Sequence, residues 1–102
     1  MSWFIKTEQF TEKTLALLEK DRRLIIDKHK SWVKNLKIQG KKISSGYLVN
    51  KNKAPGGGGL LIIEANSFEE AIAIIKEDPM ITNNLVTWRL QEWIPISGEL
   101  II

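Results

Sequence analysis

Two helical patterns of unequal length, each set between strand-like runs, constrain this chain more than any other feature. Between Thr11 and about Gln39, Ile25, His29, Trp32 and Leu36 recur at i, i+4, i+7 and i+11, with Ile26 and Val33 beside them. Lys28, Lys30, Lys34 and Lys37 take the other side. That spacing predicts an amphipathic helix, in two pieces broken near Asp21. Gly40 is a natural stop, and the lysines before it suit the negative pole of a helix. The second helix opens at Ser67, which has N-cap to N3 spacing with Glu70 in SFEEA. Its apolar face is Phe68, Ala71, Ile72 and Ile75, and Pro79 prevents continuation past Asp78.

Four strands surround these helices. Trp3 to Thr7, Ile43 to Val49, Leu60 to Ala65 and Leu85 to Ile94 are rich in aromatic and β-branched residues. Leu60 to Ala65 is apolar on both alternating sets apart from Glu64, which predicts cover on both faces. Gly46, inside the second strand, marks a bulge or the close approach of another group. The order β-α-β-β-α-β predicts an α+β, ferredoxin-like fold, a four-stranded antiparallel sheet with two helices on one face, as one domain over residues 1–102. Its other face would be open. Trp3, Ile5, Tyr47, Leu61 and Trp93 are alternate-position candidates for it, and an apolar patch of that size points to a homodimer joined sheet to sheet.

Composition narrows the function classes. Apolar residues at 43% and charged residues at 26% exclude a disordered or low-complexity chain. The absence of cysteine removes thiolate nucleophiles, disulfides and thiolate metal sites. One histidine and no acidic cluster at ligand spacing argue against any metal, and no cofactor motif is present. The opening MSWFIKTEQF meets charge too early for a signal peptide, and no run reaches membrane-spanning length, so a soluble, cytoplasmic protein is expected. Lys20 to Lys53 carries eleven basic residues against Asp21 and Asp27. A solvated helix face is the default for such a stretch; attraction of a small anionic substrate is the functional alternative. RNA is disfavoured as a partner, because the third strand, LLIIEA, has no aromatic on which a base could stack.

The Gly56 to Gly59 run lies in a segment, Lys51 to Gly59, expected to be a flexible hairpin loop. It lacks the Lys and Ser/Thr of a phosphate loop and precedes a strand, so no nucleotide affinity is expected. The best lead to chemistry is His29, the only histidine, on the apolar side of the first helix, with Asp78 ending the second. An imidazole oriented by a carboxylate acts as a general base near neutral pH. Two plainer readings stand beside this: a core histidine bonded to a backbone carbonyl, and an aspartate that caps the following turn.

The histidine-bearing helix followed by QGKKISSGYL, GGGGLLIIEANSFEEA and EDP resembles the YciI-like (YCII-related) family of dimeric α+β barrel proteins, over roughly His29 to Ile96. The resemblance implies a histidine-aspartate pair in a cleft at His29 and Asp78, and places the family's serine-glycine step at Ser45 and Gly46. Ser45, Gly46 and Trp32 are then the candidates for substrate contact, with Ser45 as a hydrogen-bond donor. This chain has Ile26 where many members carry arginine, and Tyr47 where members carry proline. A relative eliminates hydrogen chloride from a chlorinated aromatic, and the wider superfamily includes isomerases and monooxygenases. The expectation is therefore a cofactor-independent enzyme for proton transfer, elimination or isomerisation on a small organic molecule, an anionic one included. The alternative is a non-catalytic small-ligand-binding or accessory module on the same fold.

Overall fold

The computed structural model describes residues 1–99; residues 100–102, the end of the expected domain, lie outside the described residues. The elements run β1 (Ser2–Phe10), α1 (Glu12–Ala16), α2 (Glu19–Ile38), β2 (Ile43–Val49), β3 (Pro55–Ala65), α3 (Phe68–Ile75), α4 (Pro79–Thr82) and β4 (Val86–Trp93). The four strands form one antiparallel sheet in the order β2-β3-β1-β4. This is the ferredoxin-like arrangement, with a first helical segment in two pieces and a short α4 after α3.

Local chemistry explains the element boundaries. Thr11 caps α1 by accepting from the Thr14 N–H, and Leu17 and Leu18 then turn extended before α2 begins. The break therefore falls at these two leucines, earlier than Asp21. The far end of α2 closes on Gly40, whose φ of 91° lets Gly40 N–H reach the Lys37 carbonyl and Lys41 N–H reach the Leu36 carbonyl, a Schellman stop. Ser67 caps α3 through the Glu70 N–H, while the Glu70 carboxylate returns to the Asn66 N–H and pairs with Lys41 at 2.8 Å. Asp78 caps α4, with Pro79 at its first helical position.

The register fixes which side chains meet the helices. Phe4, Lys6 and Glu8 of β1 lie beside Ile63, Leu61 and Gly59 of β3, and Ile43, Ser45 and Tyr47 of β2 lie beyond them. The core forms here from Phe4, Ile43, Leu61, Ile63, Ala65, Leu90, Ala71, Ile75 and Leu36. Two of the residues expected on the open face change sides. Tyr47 and Leu61 are on the helix side, because they pair in register with Gly59 and with Lys6 and Ser45. A strand apolar on both alternating sets gives no phase from its pattern, and Leu60 and Ile62 take the outward places instead.

The glycine run is strand and not loop. Only residues 50–54 make the hairpin, closed by Asn50 N–H to the Ala54 carbonyl, and Gly58 and Gly59 pair with Gln9 and Glu8. A Cβ at Gly58 would run into the Glu8 carbonyl oxygen, so a close backbone approach demands glycine there. Gly46, in contrast, faces open space, and the irregularity of β2 lies between Tyr47 and Val49.

Candidate functional site

The site grows from one row of the sheet. Ser45, Leu61, Lys6 and Leu90 stand side by side across β2, β3, β1 and β4 on the helix face. α2 and α4 pack against each other above this row and bring His29 and Asp78 down onto it. His29 Nδ1 is 2.8 Å from Asp78 Oδ1, and His29 Nε2 is 2.8 Å from Ser45 Oγ. The Asp78 carboxylate is fully buried, and its oxygens accept from three donors: His29 Nδ1–H and Met80 N–H at Oδ1, and the Lys6 ammonium, 2.6 Å from Oδ2. Lys6, also fully buried, is 2.6 Å from Glu8 Oε1 as well.

These contacts set the protonation pattern. Burial pushes the Asp78 carboxyl up, but the His29 hydrogen bond and the Lys6 charge outweigh it and hold the group below its ordinary value. An ionised carboxylate has no proton to give, so His29 Nδ1–H donates to it. In the neutral imidazole Nε2 is then left as an acceptor for the Ser45 hydroxyl. An imidazole held in this way can accept a proton at Nε2, with the Ser45 hydroxyl beside that nitrogen.

A cleft of about 260 Å³ opens at this nitrogen, walled by His29, Lys30 and Ile26 of α2, Ser45 and Tyr47 of β2, Glu8 and Phe10 of β1, and Met80, with Gly58 and Gly59 at its base. A second cleft of about 410 Å³ shares Phe10, Ile26, Lys30, Tyr47 and Met80 with it and extends to Arg22 and Arg23. Ile26 gives an apolar wall, Lys30 and Arg22 bring positive charge and Asp27 negative charge to the larger cleft, and Arg23 is engaged by Glu19 at 2.8 Å.

Of the residues named from the sequence, His29, Asp78 and Ser45 meet, and Gly46 adds backbone to the cleft. Trp32 does not line it. One turn along α2, it tilts against the His29 ring at 5.7 Å between centroids, packs on the core, and leaves its buried Nε1 without a partner among the described residues. Asp78 both caps α4, as the plainer reading of that residue has it, and bonds to His29. The plainer reading of His29 fails, since both ring nitrogens meet side chains.

Lys6 and Glu8 were missed. Their signal was present: in WFIKTEQF, Phe4, Lys6, Glu8 and Phe10 alternate to one side, and a lysine at an inward strand position demands a carboxylate partner. No group of His, Cys, Asp and Glu among the described residues is placed to hold a metal ion, and no helix among them is long and apolar enough to cross a membrane.

A ferredoxin-like sheet carrying this cleft under its first long helix defines the class, and the sequence agrees. The chain belongs to the YCII-related domain family, whose model matches residues 2–94. It is similar in structure to 5-chloro-2-hydroxyhydroquinone dehydrochlorinase (TftG) from Burkholderia phenoliruptrix AC1100, solved in complex with 2,5-dihydroxybenzoquinone. That likeness has a TM-score of 0.69 at 20% identity, over 90% of this chain and 93% of that one. The designed protein Ferredog-Diesel matches with a TM-score of 0.57 at 16% identity, over 89% and 84% of the two chains. A dimeric ferredoxin-like protein from an uncultured marine organism matches at 0.50 and 16%, over 96% of each. No curated protein sequence matches the chain.

Proposed function

We propose that the chain is a cofactor-independent enzyme that moves a proton on a small, acidic organic molecule, in an elimination or isomerisation. The observation that carries this reading is His29, bonded through Nδ1 to buried Asp78 and through Nε2 to Ser45 at the mouth of the cleft. His29 takes the proton, directly or through the Ser45 hydroxyl, and Asp78 fixes the tautomer and stabilises the imidazolium that forms. The apolar walls at Phe10, Ile26 and Met80 suit a ring, and Lys30 with Arg22 suits an anionic oxygen at its edge. The neighbour that acts on a chlorinated hydroquinone supports a quinol-like compound as the first substrate class to try.

The test uses 2,5-dihydroxybenzoquinone for binding by calorimetry and 5-chloro-2-hydroxyhydroquinone for chloride release. Wild type should bind the first, release chloride from the second, and lose the release in His29→Gln. Binding with no chloride release would favour the ligand-binding module. Failure of both compounds would remove this substrate class.

The functional unit in this reading is a homodimer. Trp3, Ile5, Leu60, Ile62 and Trp93 lie half-buried on the sheet face that the helices leave uncovered, with Trp3 beside Trp93 and Ile5 beside Ile62 in register. A second copy of the same face is the simplest cover for this strip.

A further inference from the structure

Glu8 has no part in the reading above, yet it is built into the same cleft. Its carboxylate is 2.6 Å from the Lys6 ammonium, its side chain is 9% exposed, and it lines the pocket that His29 and Ser45 line. Its cross-strand neighbour is Gly59, which puts no side chain over the carboxylate; a Cβ there would make only ordinary contact with Glu8 Cγ and Cδ at 3.5 Å, and both residues line the cleft. Glu8 Oε2 makes no hydrogen bond among the described residues, which leaves one oxygen available to a ligand.

Charge counting then links Glu8 to His29. Lys6 carries one positive charge and touches two carboxylates, Glu8 and Asp78, so these three side chains alone bury one excess negative charge. An uncompensated buried charge is costly, and one further proton removes it. That proton has two homes, the imidazole of His29 on Asp78 or the free oxygen of Glu8, and both line one cleft.

We propose that Glu8 is a second proton-handling residue of the cleft, coupled to His29 through Lys6 and Asp78. The inference rests on the proton-transfer reading for its chemistry. As His29 Nε2 accepts the proton of a substrate hydroxyl through Ser45, the carboxylic acid of Glu8 gives its proton to a ring carbon of the same molecule. The hydroxyl becomes a carbonyl, the carbon gains C–H, and the net charge of the cluster is unchanged. No oxidant or second reactant is needed. Other ionisable groups near the cluster are Lys30 of α2 and Tyr47 of β2 in the cleft, and Arg89 of β4, which pairs in register with Thr7 on the other face of the sheet. None of the three pairs with Glu8 or His29 among the described residues.

The test is side-chain NMR on the full chain, following the Glu8 carboxyl carbon and the His29 ring nitrogens through pH. Coupling predicts that each signal reports the other's titration, and that Glu8→Gln, which removes one negative charge but keeps the shape, lowers the His29 midpoint by about half a pH unit or more. A His29 curve identical in wild type and a folded Glu8→Gln overturns the proposal. So does a Glu8 signal blind to His29 in wild type, a measurement that needs no variant. Ring-proton exchange of 2,5-dihydroxybenzoquinone in D2O reports the chemistry separately: Glu8→Gln should slow it about tenfold or more while the compound still binds. Failure of wild type to bind that compound would count against the quinol-like substrate, while the NMR coupling still decides the role of Glu8.

Discussion

Lys6 Nζ lies 2.6 Å from Asp78 Oδ2 across 72 positions of sequence, and neither side chain is exposed to solvent. The pair joins the middle of β1 to the cap of α4, so the sheet itself holds the residue that orients His29. Lys6→Met should therefore cost more than a surface ion pair. It would leave the fully buried Asp78 carboxylate without its cation, a loss of about 3–5 kcal/mol. Urea denaturation of the folded variant measures this, and a change of under about 1 kcal/mol would place the pair among the weak surface bridges.

Acid should weaken the fold through the same carboxylate. Burial raises the Asp78 pKa, and the His29 bond and Lys6 charge lower it further than burial raises it, so the native value is depressed. A depressed carboxyl contributes stability in full above the unfolded value of about 3.9, and loses it as pH falls toward the native value. Wild type should lose stability steeply below about pH 4, and Asp78→Asn, already weaker at pH 7, should show a flatter slope there. Equal slopes in the two proteins would show that Asp78 is not the group responsible.

The glycines of β3 make a paired test of backbone approach. Gly58→Ala would drive a methyl into the Glu8 carbonyl oxygen, an atom of backbone that cannot swing away. Gly46→Ala meets nothing within 4 Å. The first should cost about 1–3 kcal/mol, on the scale of an overpacked core, and the second should change thermal stability little. Similar melting temperatures for both variants would contradict the close approach at Gly58.

The fold was legible where a pattern carried phase. Ile25, His29, Trp32 and Leu36 repeat over about three helical turns, and Ser67 with Glu70 marks a helix start, so both helices and the order of elements along the chain could be read. LLIIEA had no phase to read, and Leu61 was placed on the wrong face because burial on both sides erases alternation. Four glycines read as a loop because side chains are what mark a strand, whereas here Gly58 is glycine because the Glu8 backbone carbonyl comes too close for a Cβ. His29 and Asp78 stood out as a lone histidine and a pre-proline acid. The place of Ser45 beside them depends on β2 lying at the sheet edge under α2, which no local spacing encodes.

Ser45 is expected to pass a proton and not to form a covalent bond. Its hydroxyl is 2.8 Å from His29 Nε2, so Ser45→Ala removes the relay while the His29–Asp78 bond can persist. Turnover of a substrate should fall by about 10- to 100-fold, less than for His29→Gln, since water can fill the place of a lost hydroxyl. Mass spectrometry of the quenched reaction should find no adduct on Ser45. A trapped adduct there would convert the role into that of a nucleophile activated by His29.

Dimerisation is the last expectation, and it is separable from the chemistry. Trp93 sits next to Trp3 on the open face, away from the cleft under α2. Trp93→Glu would put an unpaired charge into the centre of a buried apolar contact between two copies, a defect worth several kcal/mol at an interface. Wild type should sediment as a dimer at micromolar concentration, and the variant should shift toward monomer with its far-UV spectrum intact. Binding of 2,5-dihydroxybenzoquinone by that monomer would show that the cleft is complete within one chain, whereas loss of binding would show that the partner helps to close it. A wild-type chain that sediments as a monomer at that concentration refutes the sheet-to-sheet dimer outright.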